Sequence, residues 1–322
     1  MKLPGSPGFA APPASRQAQK LSTRITHELP QISPSTLSLG VVIPCHNNSW
    51  QLSGVLTSLA YQTVKPDAVV VVDDNSNGPE AHSLRQLCRT CGAIYTRLAR
   101  PRNELEALGR RSHARNAGTS LLDTDVVLYL DGDMLLNSGY VQEVKLYHAA
   151  LPRIYLRGLR YCIPTEQQSR GYDNCLSEFL RECQATAPSP VDYVGADDHL
   201  PHLSEKRARY DRWEWCASNN LSVRRRYAIE IGCWDQNFLG WGEEDIDFSF
   251  RLFRLGLTPM LLTGVNANCY HLDHYVDRRA NQMTLKRNAA YLINKWPGIA
   301  EYRRAAYAQY QIDVDDLLSD AR

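Results

Sequence analysis

The sequence predicts an α/β fold with a Rossmann-like, mostly parallel sheet flanked by helices. Three observations carry that prediction. Short runs rich in β-branched residues recur at LGVVIP (39–44), AVVVVDD (68–74) and DVVLYLDGD (125–133). Segments of helical period separate them. Each run gives way to polar residues at its carboxyl end: Pro44-Cys45-His46-Asn47, Asp73-Asp74-Asn75 and Asp131-Gly132-Asp133. Runs that are apolar throughout suit strands covered on both faces. Sheets of this kind bind ligands beyond the carboxyl ends of their strands, so three polar clusters mark one crevice.

In chain order, the proline in LGVVIP stops the first strand. Asn48 or Ser49 is placed to cap a helix through Tyr61, with Leu52, Val55, Leu56 and Leu59 on one face. Pro66 breaks that helix, and NSNGP (75–79) turns the chain after the second strand. A helix near 80–91, a strand near 93–98 and a helix over ARNAGTSLL (114–122) precede the strand at 125–133. Residues 150–215 are less regular. Beyond them an apolar stretch and a helix lead to a turn at Gly240-Trp241-Gly242, and a further helix opens with Glu243, Glu244 and Asp245. The tail from about 284 reads as helical.

The bulk numbers narrow the function classes. A hydrophobic fraction of 43%, a charged fraction of 22% and a net charge of +1 suit a globular protein and imply no nucleic-acid partner. No apolar run approaches the roughly 20 residues that span a bilayer, so no transmembrane segment is expected. Residues 1–36, with six prolines and no sustained period, read as a flexible leader without the apolar core of a signal peptide. The expected location is the cytoplasm, including the periphery of a membrane. Of nine cysteines only Cys88 and Cys91 form a CxxC pair, and buried thiols are the expectation.

Two acidic groups and one histidine pair carry the chemistry. Asp131 and Asp133 lie one glycine apart at a strand end and can turn toward one point. Convergent carboxylates favour a hard divalent cation such as Mg²⁺ or Mn²⁺, although an isolated DxD also recurs by chance as a polar turn. Glu243, Glu244, Asp245 and Asp247 crowd the start of a helix, where its dipole favours acids. The helix continues with Phe248, Phe250, Leu252 and Phe253 and is therefore largely buried, so one of these acids could serve as a general base. In CYHLDHYVD (269–277), His271 or His274 could be a metal ligand.

Together these pieces resemble the family 2 glycosyltransferases of the GT-A fold. VVIPCHN resembles that family's opening strand, V-I-I-P-x-Y-N. VVVVDDNSN resembles its second strand and nucleotide-binding turn. ARNAG followed by VVLYLDGDMLL resembles its ARNxG helix and DxD strand. The stretch from NNLSVRR to FLGWGEEDIDFSFRLFRLG is similar to the C-terminal galactosyltransferase-type module of β-1,4-galactosyltransferases and chondroitin-type polymerases. The resemblance covers roughly residues 38–276.

The resemblance implies an inverting, metal-dependent transfer of a hexose or N-acetylhexosamine from a UDP-sugar to a hydroxyl of a carbohydrate, lipid-linked or peptide acceptor or a small molecule. Pro44, His46, Asn47 and Asp74 match positions of the uracil and ribose pocket, with His46 where the family often has tyrosine. Arg115 matches a residue near the base or diphosphate, and Asp131 and Gly132 lie near the ribose and sugar. Asp133 is the implied ligand of Mn²⁺ (or Mg²⁺), completed by His271, with His274 as the alternative. Trp241 and Gly242 shape the sugar and acceptor site, Glu244 holds the acceptor, and Asp245 matches the catalytic base, with Asp247 next in line. The retaining polypeptide N-acetylgalactosaminyltransferases read WGGEN, whereas this chain reads WGEED and keeps the aspartate. Glu243 departs from the glycine of the galactosyltransferase pattern. The implied organisation is a GT-A domain over 37–283, with a nucleotide-binding half (37–135) and an acceptor half (136–283), followed by a helical tail at 284–322. Tyr161, Tyr172, Trp213, Trp215 and Trp234 read as packing residues, with Trp213 and Trp215 also candidates for setting acceptor choice. The alternative reading is a non-catalytic relic that binds a glycan or nucleotide.

Overall fold

A computed structural model describes residues 36–163, 213, 218–262, 267–274 and 277–319. The first half runs β1 (Leu39–Cys45), α1 (Ser49–Ala60), β2 (Ala68–Asp73), α2 (Gly78–Cys91), β3 (Ile94–Arg97), α3 (Glu104–Ala107), α4 (Arg111–Ser120) and β4 (Val126–Leu130). It continues with β5 (Met134–Leu136), α5 (Tyr140–Ala150), β6 (Ile154–Gly158) and β7 (Arg160–Ile163). The second half holds β8 (Asn220–Arg224), α6 (Arg225–Glu230), α7 (Glu244–Arg254), β9 (Thr258–Leu262), β10 (Cys269–Leu272), α8 (Arg278–Lys295), α9 (Ala300–Gln309) and α10 (Val314–Ser319).

Seven strands form the central sheet in the order β3-β2-β1-β4-β8-β6-β9. Six run parallel, and β8 lies antiparallel between β4 and β6. Val41, Ile43 and Leu128 face one apolar cluster with α1, while Val42, Val70, Val127 and Tyr129 face the other. Burying each such side chain contributes about 1.5–3 kcal/mol, which is why these strands are apolar along most of their length. Helix α4 lies against β1 because Gly118 leaves the room: a Cβ there would stand 2.3 Å from Val42 Cγ1.

A second sheet, β5-β10-β7, sits at the carboxyl end of β4. β4 stops at Leu130, so Asp131-Gly132-Asp133 is a turn rather than the end of the strand, closed by Met134 N donating to the Asp131 carbonyl at 3.2 Å. β5 then pairs antiparallel with β10, setting Met134 opposite His271.

Other boundaries differ from expectation for identifiable reasons. Asn48 occupies the cap position of α1 without capping it. Its side chain instead accepts from His46 N (3.1 Å) and donates to the Gly132 carbonyl (3.3 Å), joining two strand ends. Helix α4 begins at Arg111, ahead of ARNAG. Helix α7 begins at Glu244, because Glu243 has a left-handed φ of 71°. Asp277 caps α8 by accepting from Ala280 N at 3.0 Å, so the expected division at 283/284 falls inside that helix. Helices α8, α9 and α10 share an apolar cluster of Leu285, Ala289, Ile293, Tyr307, Val314 and Leu317, and Trp241 packs against it. The leader lies outside the described residues except for Thr36.

Candidate active site

Pro44, His46, Asn47 and Asp74 meet where β1 and β2 end. Asp73 is buried and accepts from Ser76 N and the Tyr95 hydroxyl, both at 2.7 Å. Asp74 points elsewhere. Its carboxylate takes the Arg110 backbone N–H at 2.6 Å and Arg110 Nε at 2.8 Å. His46 Nδ1 donates to the Asp74 carbonyl at 2.8 Å, since a carbonyl can only accept, which leaves Nε2 to accept from Asn47 Nδ2 at 3.0 Å. Asn47, at φ 49°, also binds Ser76 Oγ and Asn77 N, both at 2.9 Å. Sequence reasoning passed over Arg110, which precedes the recognised ARNAG motif and is one of several basic residues there.

Arg115 joins the two acidic groups. Its Nη2 reaches Asp131 and its Nη1 reaches Glu244, both at 3.1 Å, while its guanidinium lies 4.6 Å from the Trp234 ring. Trp234 stacks on Phe248 at 4.0 Å, and Tyr129 meets both edge-on. Burial works against the Arg115 charge, but Asp131 and Glu244 outweigh it and hold the proton more tightly than usual. Asp131 remains a third exposed at the crevice.

Asp133, His271 and His274 converge, with ligand atoms all within 4.8 Å of one another. Asp133 Oδ2 lies 3.1 Å from His274 Nε2 and 3.6 Å from His271 Nε2. Burial alone would raise the Asp133 carboxyl, yet hydrogen bonding and charge from both histidines hold it well below the usual carboxylate range. Asp133 Oδ1 is buried and has no hydrogen-bond partner among the described residues. An orphaned carboxylate oxygen beside two imidazoles fits a divalent first-row cation. Leu272 N donates to the Asp133 carbonyl at 2.9 Å, locking the turn onto β10. A Cβ on Gly132 would stand 2.5 Å from Asn48 Nδ2 and 3.2 Å from the Pro44 carbonyl, so glycine is what lets the turn sit there.

The acidic turn is held from several directions. Gly240 N donates to the Gly109 carbonyl at 2.8 Å, and Arg111 Nη1 donates to the Gly240 carbonyl at 2.7 Å. Trp241 N donates to Thr284 Oγ1 at 3.0 Å, and Asn288 Nδ2 donates to the Gly242 carbonyl at 2.8 Å. Gly240 and Gly242 have φ of 75° and 99°, which glycine adopts without penalty. Asp245 is half-buried. Burial, then Glu244 and Glu243, push its carboxyl up to about 7, with Arg115 and Arg303 opposing. Asp247 is fully buried and bonded to Arg251 Nε and Trp296 Nε1, each at 2.8 Å, so it serves the core.

Trp213 and Trp234 are core side chains, Trp213 lying 4.9 Å from Phe250. Tyr161 packs 5.9 Å from Tyr270. Tyr172 and Trp215 lie outside the described residues. Thr284, Asn288, Arg303 and Tyr307, which grip the acidic turn, were not singled out; their signal was only helical period.

The architecture is that of the GT-A fold. Residues 40–189 match the model of Glycosyl transferase family 2. Validoxylamine A glucosyltransferase of Streptomyces hygroscopicus subsp. limoneus is 28% identical over 273 residues, covering 81% of this chain and 57% of that protein. Chondroitin synthase of Escherichia coli is 25% identical over 247 residues, covering 73% of this chain and 34% of that protein. A crystal structure of GalNAc-T7 with UDP, GalNAc and Mn²⁺ superposes with a TM-score of 0.55 at 16% identity, covering 99% of this chain and 66% of that one. The chain spans about 60% of the length of the validoxylamine A glucosyltransferases it matches, 57% of one and 61% of the other. No helix among the described residues is long and apolar enough to cross a membrane.

Proposed function

We propose that the protein is an inverting, cation-dependent glycosyltransferase that moves a hexose or N-acetylhexosamine from a UDP-sugar to a hydroxyl acceptor. The observation that carries this reading is the Arg115 bridge. It holds the turn of Asp131 and Asp133 and the turn of Glu244 and Asp245 in one crevice, so a group bound at the first can be attacked from the second. The names of the relatives, and the UDP, GalNAc and Mn²⁺ of GalNAc-T7, support the same class of donor.

Asp133, His271 and His274 would hold Mn²⁺ or Mg²⁺, which supplies charge neutralisation for a departing diphosphate. His46, Asn47 and Asp74 form the base end, its shape set by Arg110. Glu244, anchored by Arg115, positions the acceptor. Asp245 takes the hydroxyl proton, and a carboxyl near 7 suits that task because an ordinary carboxylate is a weaker base. Attack opposite the nucleotide in one displacement inverts the anomeric centre, so an α-linked donor gives a β-glycoside. The acceptor is a glycan, a lipid-linked or peptide hydroxyl or a small molecule, met in the cytoplasm or at a membrane periphery.

Calorimetric titration of UDP with Mn²⁺, or with chelator, into wild type and Asp133→Ala tests the reading. Cation-dependent binding in wild type that is lost in the variant is the expected result. No UDP binding with any cation would overturn it and favour a binding protein that has lost transfer.

A further inference from the structure

The turn that carries the proposed base is gripped from behind by the C-terminal helices. Glu243 is 3% exposed and sits at φ 71°, a region that favours glycine. Its carboxylate accepts from Arg303 Nη2 at 2.6 Å and from the Tyr307 hydroxyl at 3.1 Å, both on α9. A glycine would relieve the backbone here, and apolar residues would dock α9 with less desolvation than a buried ion pair. The chain instead places a full negative charge next to Glu244 and Asp245 and meets it with an arginine.

The charged groups that act most strongly on Asp245 are Glu244 and Glu243 from its own turn, Arg115 from α4 and Arg303 from α9. Arg115 is already shared between Asp131 and Glu244. Arg303 is therefore the cation that balances Glu243. We propose that Arg303 and Glu243 are positioning residues for Asp245, a buried ion pair that fixes its turn and sets the charge around its carboxylate. Without Arg303, three successive acids would keep Asp245 protonated. Without Glu243, Arg303 would favour the carboxylate and make it a weaker base. The inference rests on Asp245 being the base proposed above.

The test uses Glu243→Gln, Arg303→Gln and Arg303→Lys in the full chain, with two readouts. The first is the pH profile of kcat/KM for sugar transfer. The acid limb should move down in Glu243→Gln and up in Arg303→Gln, each by about half a pH unit, which is about a threefold change in ionised fraction below the limb. Arg303→Lys keeps the charge and should hold the limb near its wild-type position whatever its effect on rate. Lower activity in both glutamine variants with the limb unmoved would indicate a packing contact only and overturn the proposal. The second readout is the pH dependence of Tm, in which the Asp245 contribution is the part missing from Asp245→Asn. If wild type transfers no sugar, the proposed reaction falls, and this readout decides the inference alone: opposed displacements in the two variants uphold it, unmoved or common ones overturn it. If Arg303→Gln does not fold, a downward limb in Glu243→Gln together with an unmoved limb in Arg303→Lys upholds it, and any other result overturns it.

Discussion

Arg115 of α4 and Glu244 of α7 meet at 3.1 Å, with 1% and 8% of their side chains exposed. The same guanidinium also holds Asp131, so one buried cation supports both turns of the site. Removing one member of a buried pair typically costs about 3–5 kcal/mol, because the partner charge is left unpaired. Arg115→Met should therefore lower the unfolding free energy read from urea titration by about 3–5 kcal/mol, seen as a lower midpoint. Arg115→Lys should recover only part of it, since one ammonium lacks the fork that serves two carboxylates. An unchanged midpoint in Arg115→Met would remove the bridge from the account.

As the proposed base, Asp245 would link activity to pH. With its carboxyl near 7, it is increasingly protonated below neutrality, so kcat/KM should fall on acidification with a midpoint near 7. Asp245→Asn should lower kcat/KM by at least about 100-fold while leaving UDP–cation affinity nearly intact. Stability gives an independent reading. A carboxyl raised from 3.8 to about 7 contributes stability that is fully present below about pH 4 and lost as pH rises through 7. The Tm of Asp245→Asn relative to wild type should thus be higher at pH 8 than at pH 5.

The histidine pair separates two expectations. Both rings reach Asp133 Oδ2, His274 at 3.1 Å and His271 at 3.6 Å. Calorimetry of Mn²⁺-dependent UDP binding should show losses of about tenfold or more in both His271→Ala and His274→Ala. A full loss in one with no change in the other would reduce the ligand set to Asp133 and that single ring.

Gly118→Ala sets two effects against each other. Alanine favours a helix interior by about 1 kcal/mol over glycine. Overpacking typically costs about 1–3 kcal/mol, and the added methyl would lie 2.3 Å from Val42 Cγ1. Net destabilisation is expected, read as a lower Tm. A raised Tm would mean that α4 can lift from β1 freely.

The parallel sheet was legible because β1, β2 and β4 are apolar at nearly every position and rich in valine, a pattern that a helix with a solvated face does not produce. The gathering of polar side chains at one edge of the sheet was legible because each of those strands ends in polar residues. The direction of β8 was not, since the alternation of polar and apolar residues in Asn220–Arg224 reads the same whichever way it runs. Nor was the grip on the acidic turn. Thr284, Asn288, Arg303 and Tyr307 reach it only after α8 and α9 fold back, and helical period says which face is buried but not against what. Glu243 stood out as a departure, and its partners did not. Asp74 was expected to face a ligand, and the sequence held nothing to say that Arg110 would bond it from both backbone and side chain.

The small sheet of β5, β10 and β7 fixes more than local shape. Met134 stands opposite His271 in an antiparallel ladder, and side chains alternate faces along a strand. A slip of one residue would turn His271 away from Asp133 and bring Tyr270 or Leu272 in its place. The three potential ligands are therefore not a local motif that could be transplanted as a peptide. They exist only as a consequence of strand alignment, written jointly by two segments far apart in the chain. An insertion of one residue within β10 would erase the centre as completely as deleting a ligand.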